Sequence, residues 1–412
     1  MTPDAAPSLQ RRLPRWSEVK PLLGMRAPAF GLDARLADAA TIGDLRLMAL
    51  ARAPRSVFDY TDGAAGSESS LFRSRRALAD VEFHPTVLRD VSHVDLSATI
   101  LGRSSAMPLA LGPTGFTRMM HAAGEPAVLR AAHASGLPYA LSTLGTTSPE
   151  DLAAGAPAGS RRWFQLYMWR DRDKSEALLE RARQAGFEAL ILTVDTPVGG
   201  QRLRDVRNGL TVPPKLSLKT LLDMSLHPAW WFDVLTTAPL EFASFAAFDG
   251  TVGELMDQMF DPTISYGELE WLRERWDRPL IVKGIQTAAD AKRVVDHGVQ
   301  GIVVSNHGGR QLDRGAPLLH VLPDVVRAVD GRAEVYIDGG ITDGSHIIAA
   351  VANGATAALI GRSYLYGLMA GGEAGVRRAL GLLREQALRT MQLLGVTSLA
   401  ELTPDHAKLS TR

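Results

Sequence analysis

The chain of 412 residues contains no cysteine. Disulfide staples, thiolate metal sites and a cysteine nucleophile are thereby excluded, and the redox compartment is left open. Net charge is also missing, because 45 Lys and Arg offset 45 Asp and Glu. A balanced chain gives no electrostatic reason to expect a nucleic-acid partner. No run of about 18 apolar residues occurs, so no segment reads as membrane-spanning. The start, Met1-Thr2-Pro3-Asp4, lacks the apolar segment of a secretory signal, which makes a cytoplasmic protein the expectation. No short internal repeat, metal-ligand cluster or low-complexity tract stands out.

What is present is an apolar share of 46%, ordinary for a chain with a large core. From about residue 107, short apolar runs alternate with helical patterns. The runs expected as strands are 109–112, 139–142, 163–167, 189–194, 280–283, 301–304, 335–338 and 357–360. Eight strands separated by helices predict an α/β fold of the (β/α)8 TIM-barrel type. A doubly wound sheet is the alternative. It usually has fewer strands and a glycine fingerprint in its first turn, which Gly112-Pro113-Thr114-Gly115 does not match.

Residues 1–40, rich in Pro, Arg and Ala, read as an N-terminal arm, and residues 41–412 as one barrel domain. Thr41 through Asp44 fits a capping box; Leu45, Met48 and Ala51 give the following helix an apolar stripe, and Pro54 ends it. The interval between Val194 and Lys283 is far longer than the others, so an insertion at about 211–262 follows the fourth strand. Its Trp230, Trp231 and Phe232 read either as part of a lid with its own small core or as an interfacial membrane or partner patch. Past the eighth strand, Val376, Leu380, Leu383, Ala387, Met391 and Leu394 predict a long amphipathic helix that closes the barrel or meets another subunit.

Nearly every expected strand ends in a group capable of chemistry: Thr114, Ser142, Gln165 with Tyr167, Thr193 with Asp195, Lys283, His307, Asp338 and Arg362. A barrel would gather these ends on one face. The richest stretch is Ser305-Asn306-His307-Gly308-Gly309-Arg310-Gln311-Leu312-Asp313, directly after a β-branched run. It presents an imidazole and a guanidinium on one short loop, which suits a general base beside a carboxylate clamp. Asp195 is placed to hydrogen-bond that imidazole. A hydrolase reading of Ser305 with His307 and Asp195 is discounted, because the serine sits at a strand end without an elbow turn. Asp338-Gly339-Gly340 and Gly361-Arg362 fall where barrels commonly bind phosphate. Lys283 at a strand end serves either as a Schiff-base amine or as a fixed cation.

The nine-residue string closely resembles the active-site signature of the FMN-dependent 2-hydroxy acid dehydrogenases and oxidases. Phe58-Asp59-Tyr60-Thr61-Asp62-Gly63-Ala64 is similar to a second pattern of that family, and the resemblance runs from about residue 41 to the C-terminus. Two segments, Thr114-Gly115-Phe116-Thr117-Arg118-Met119-Met120 and 163–172, look most like the actinobacterial type of bacterial L-lactate dehydrogenase.

The resemblance implies FMN as cofactor and His307 as the base that turns an L-2-hydroxy acid, L-lactate first and mandelate or a larger acid as the alternative, into a 2-oxo acid. Arg310 and Arg202 would bind the substrate carboxylate, and the phenols of Tyr60 and Tyr167 would reach the substrate. Pro113, Thr114, Gly115, Ser142, Gln165, Thr193 and Ser305 would border the flavin, with Lys283 near its N1 edge. Asp338 would meet the ribityl chain, and Gly339, Gly340, Gly361 and Arg362 the phosphate. Many members follow the D-G-G turn with arginine; here Thr342 stands there. Gly115, alanine in some members, points to a quinone or cytochrome as electron acceptor, with oxygen as the alternative. A homotetramer and a peripheral membrane contact through the insertion are further implications. Two rival functions carry their own signatures: a Schiff-base aldolase built on Lys283 needs no flavin, and a non-catalytic FMN-binding protein would not depend on His307.

Overall fold

β-Branched and other apolar residues fill eight short runs, and all eight are strands of one closed parallel barrel. These are β1 (Leu109–Leu111), β2 (Tyr139–Ser142), β3 (Arg162–Leu166), β4 (Ala189–Thr193), β5 (Leu280–Ile285), β6 (Gly301–Val304), β7 (Glu334–Ile337) and β8 (Ala357–Ile360). Each pairs with its neighbour in sequence, and β8 closes on β1 through Ala358–Leu109, Leu359–Ala110 and Ile360–Leu111. This is the (β/α)8 barrel expected from the sequence; β3 and β7 begin one residue earlier than predicted. The computed structural model describes residues 12–22, 31–209, 217–238, 240, 243 and 260–410.

Strand parity sorts the core into two layers. Successive side chains point to opposite faces. Phe164, Leu190, Val282, Ile302 and Val304 therefore face the surrounding helices, while Ala140, Trp163, Ile191, Ile281, Val303 and Tyr336 fill the barrel. The floor is plugged by the hairpin of Ala98–Ile100 and Arg103–Ser105, whose Ile100 is buried in the barrel layer. Arg161 fixes the plug, its Nη2 donating to the Ile100 carbonyl at 2.8 Å and its Nε to Glu188 Oε1 at 2.8 Å. Trp163 Nε1 donates to the same carboxylate at 2.9 Å.

Of the described helices before the barrel, three border its C-terminal face: α1 (Ile42–Arg52), α2 (Arg55–Asp62) and α3 (Ser69–Ala79). The expected capping box starts α1, with Asp44 N donating to Thr41 Oγ1 at 3.1 Å and Thr41 N to Asp44 Oδ2 at 2.9 Å. The apolar stripe is corrected: Ile42, Leu45 and Ala49 are buried with Met48 beside them, whereas Ala51 is exposed because the helix turns it outward.

After β4 come α4 (Leu203–Arg207), α5 (Leu218–Ser225) and α6 (Pro228–Leu235). The last two are the described part of the insertion; residues 210–216 and 244–259 lie outside the described residues. Their anchors are Arg55 N donating to Asp223 Oδ2 at 2.7 Å, an Arg52–Asp233 ion pair, and Trp230 Nε1 donating to the Met119 carbonyl at 2.9 Å. The aromatic triplet of the sequence therefore divides. Trp230 is 5% exposed and belongs to the core, whereas Phe232 is 69% exposed.

On the far side of the barrel, α7 (Gly344–Ala352) follows β7, and α8 (Arg362–Leu394) follows β8 with a break at Gly371 and Gly372. All six apolar positions predicted for the long helix are buried.

Candidate active site

The same parity that fills the barrel with apolar groups turns polar ones inward at its C-terminal rim. On β5, Ile281 lies inside, so Lys283 does too; Ser305 follows Val303, and Asp338 follows Tyr336, in the same phase. The three meet. Lys283 Nζ donates to Ser305 Oγ at 2.8 Å and lies 3.2 Å from Asp338 Oδ2. Burial pulls the ammonium pKa down, but the charges of Asp338 and Asp195 outweigh it and hold the group above its ordinary value. A Schiff-base amine must shed its proton at working pH. Lys283 is held in the opposite state, which counts against the aldolase reading and for the fixed cation.

The loop after β6 carries His307 in a left-handed conformation, φ +59°, that L-residues other than glycine rarely adopt. Such strain, about 1–3 kcal/mol, persists where the surroundings over-determine it. Here Asn306 Oδ1 accepts from Gly309 N at 3.0 Å and Ser305 Oγ from His307 N at 3.1 Å. The imidazole Nδ1 lies 3.1 Å from Asp195 Oδ1, while its ring stacks with Tyr167, centroids 6.5 Å apart. Burial pushes the imidazole pKa below its usual value, Asp195 opposes that shift, and Lys283 adds to it. Asp195 is itself held low: burial would raise it, and the His307 and Lys283 charges outweigh burial. A neutral imidazole with one nitrogen fixed by a buried carboxylate leaves the other free to take a proton.

The rest of the signature string holds the site's parts together. Gln311 ties the β4 loop to the β6 loop, its Nε2 donating to the Val198 carbonyl at 2.9 Å and its Oε1 accepting from Gly200 N at 3.0 Å. Asp313 secures the start of α3, accepting from Ser67 N at 2.8 Å and Ser70 N at 2.9 Å.

Arg310 turns toward α2: it donates to the Tyr60 and Gly63 carbonyls, and its guanidinium lies 4.8 Å from the Tyr60 ring centre. Burial and the charge of Arg202 lower its pKa. Arg202, at the start of α4, has a buried Nε without a partner among the described residues. Two guanidiniums in one buried place call for an anion. Behind them Arg204 reaches Asp59 at 3.3 Å and Asp62 at 3.0 Å and pairs with Glu68, bracing α4 against α2. Nothing in the sequence marked Arg204, since its partners come from a remote segment.

These groups surround a cavity of about 390 Å³ at the C-terminal mouth of the barrel. That volume suits an organic cofactor or ligand. Of the residues assigned from the sequence, four do not line it. Asp195 stands behind His307 and Ser305 beneath Lys283; Gln165 is hydrogen-bonded to Ser142 Oγ at 2.9 Å, and Thr193 pairs with Lys283 across β4 and β5. All others do, from Tyr60 and Tyr167 through Pro113, Thr114, Gly115 and Ser142 to Gly361 and Arg362. Arg75, Phe116, Asp205 and Phe260 also line it and went unnoticed in the sequence.

The residues fit FMN. Gln165 Nε2 and Asp338 Oδ1 are buried without partners among the described residues, a donor and an acceptor awaiting a polar ligand. Gly339 and Gly340, at φ +87° and +85°, form a turn whose backbone N–H groups can cradle a phosphate. One expectation shifts: three nitrogens of Arg362 donate to the carbonyls of Thr61, Gly308 and Gly63 at 2.7–2.9 Å, so this side chain is largely committed to the protein.

A (β/α)8 barrel with a histidine and carboxylate pair, a fixed cation and a phosphate turn at one mouth defines a flavin-dependent oxidoreductase of 2-hydroxy acids. More particularly, the chain belongs to the FMN-dependent dehydrogenase family, whose pattern matches residues 49–409. It is 53% identical over 400 residues to a candidate L-lactate dehydrogenase of Mycobacterium tuberculosis, covering 97% of this chain and 96% of that one. An L-lactate dehydrogenase of Xanthomonas campestris is 41% identical over 377 residues, covering 90% and 97%. Among solved structures, a monotopic membrane (S)-mandelate dehydrogenase superposes with a TM-score of 0.87 at 36% identity, covering 90% of this chain and all of that one. A mandelate oxidase does so with a TM-score of 0.79 at 39% identity, covering 91% and all of that chain.

Proposed function

We propose that this enzyme oxidises L-lactate to pyruvate, with His307 as base. The observation that carries the reading is the convergence of two half-buried arginines, Arg310 and Arg202, on the mouth that also holds the His307 imidazole. The guanidiniums bind the substrate carboxylate. Tyr60 and Tyr167 orient the 2-hydroxyl, and the buried surroundings keep water away from the reacting carbon. His307 takes one proton at Nε2, and Asp195 holds the resulting imidazolium through Nδ1. FMN, when bound, would supply the sink for the two electrons and for the second hydrogen of the substrate. Lys283, fixed by Asp338 and Ser305, places a positive charge beside that sink. The names of the bacterial relatives support lactate over larger acids. The mandelate enzymes among the structural neighbours keep the larger 2-hydroxy acids as the second reading.

The first test is the visible spectrum of the purified protein before and after L-lactate in the absence of oxygen. Bleaching with L-lactate, none with D-lactate, is the expected result. Bleaching by (S)-mandelate alone would transfer the assignment to the second reading, and reoxidation by quinone, cytochrome or oxygen identifies the acceptor.

The finer placement of the protein belongs to the same reading. No described helix is long and apolar enough to cross a membrane. Yet α5, α6 and the link between them expose Leu218, Leu222, Leu226, Phe232 and Leu235 within the one segment 218–235, each more than half exposed. A cluster of that kind suits shallow burial in a lipid surface. We read it as a peripheral membrane contact, next to which a quinone acceptor would be within reach; a homotetramer is the expected assembly. The double variant Leu222→Glu/Phe232→Glu is expected to abolish co-sedimentation with phospholipid vesicles while leaving the bleaching rate within about twofold, in line with surface substitutions. Unchanged co-sedimentation would remove the membrane contact.

A further inference from the structure

The D-G-G turn of this chain lacks its customary arginine, since Thr342 stands there, and Arg362 is largely spent on carbonyls. A phosphate dianion in this place would meet the single charge of Arg362, whose donors are mostly committed to carbonyls. Helix α3 packs directly over the turn: a Cβ at Gly340 would lie 3.4 Å from Arg75 N and 3.1 Å from Leu78 Cδ1. Its face toward the cavity bears Leu71 and, one helical turn later, Arg75. Arg75 lines the cavity together with Gly339, Gly340, Thr342 and Arg362. Neither a hydrogen bond nor an ion pair engages its side chain among the described residues. Its charge also lowers the pKa of Arg362, after burial and against the effect of Tyr366, so the two guanidiniums are near enough to repel.

We infer that Arg75 supplies the cation that this chain's D-G-G turn lacks, so that the FMN phosphate is held between α3 and the Gly339–Gly340 backbone. The ordinary alternative, a solvated helix arginine, does not account for a side chain that lines the cavity beside Gly339 and Gly340 and forms no ion pair among the described residues, whereas Arg362 also feels the carboxylates of Asp62 and Glu68. The inference rests on the flavin reading above and deepens it: the cation of this chain's phosphate clamp comes from the segment before the barrel, while the β7 turn contributes backbone N–H groups.

The test uses holoenzyme of the wild type and of Arg75→Ala, Arg75→Lys and the double variant Arg75→Ala/Thr342→Arg. Each is loaded with FMN or with riboflavin, which has no phosphate, and diluted in series while released flavin is followed by its fluorescence. Loss of one charge-assisted contact should raise the FMN dissociation constant of Arg75→Ala about 10- to 100-fold, and weaken its dependence on salt. Riboflavin release should stay unchanged. Arg75→Lys should recover part of the affinity, and the double variant should recover it by restoring the turn arginine. FMN release equal to wild type in Arg75→Ala would overturn the inference. So would an equal loss of FMN and riboflavin, which would mark a packing role for Arg75. A wild-type protein that retains neither flavin would overturn the flavin reading itself, a result distinct from either.

Discussion

Replacing His307 by alanine is expected to slow anaerobic flavin bleaching by L-lactate about 10²- to 10⁴-fold, the usual contribution of a general base. The flavin spectrum should persist, because His307 is only one of many groups lining the cavity. Stopped-flow reduction at saturating substrate is the measurement; a rate within tenfold of wild type would remove His307 from the chemistry. The pH profile of kcat/KM should carry the same information. The base works as neutral imidazole, and burial depresses its pKa below the ordinary 6.5. Activity is therefore held down through pH 6.5 and falls only as pH drops through the lower, folded-state value. The unfolded chain takes up this proton first, so part of the stability is lost over the same interval. Asp195→Asn removes the charge that opposes the depression. It should weaken the base and move the acid limb lower still, with a slower plateau.

The second large effect falls on stability. Lys283 and Asp338 form an ion pair whose side chains are 7% and 14% exposed. Deleting one member of a buried pair leaves the other charge uncompensated, at about 3–5 kcal/mol. Lys283→Met should therefore lower the urea midpoint of the FMN-free protein substantially. The double variant Lys283→Met/Asp338→Leu should recover part of the loss, since Asp338 is no longer left buried and unpaired, while Asp195 still lacks the Lys283 charge. A single variant as stable as wild type would mean that the pair is solvated in solution. The Lys283 pKa is raised on folding, so its contribution is complete below the ordinary 10.5 and is lost as pH rises through the folded value.

Both predictions concern residues that could be picked out beforehand, and the reason is periodicity. A strand run such as Leu280-Ile281-Val282-Lys283 states its own phase: once the barrel is granted, Lys283 must point where Ile281 points. The string Ser305 to Asp313 was equally plain, because its members act within one loop and on the strands beside it. Gly339 and Gly340 declared a turn by composition alone.

What the sequence by itself determined was thus the barrel, the strand ends that converge on one mouth, and the residues proposed as base and clamp. These follow from local rules of period two and of loop chemistry, which operate over a few residues. Only the tertiary structure decided where remote segments meet. It buried Trp230 while exposing Phe232 two residues on, on the opposite face of the same helix, since the docking face of α6 is set by Met119 and by Arg52. It committed Arg362 to the Thr61, Gly308 and Gly63 carbonyls, and brought Arg204 to Asp59, Asp62 and Glu68. It laid α3 across the β7 turn and so placed Arg75 in the cavity beside Gly339 and Gly340. Contacts of this kind depend on helix packing against the finished barrel, and no spacing along the chain records them.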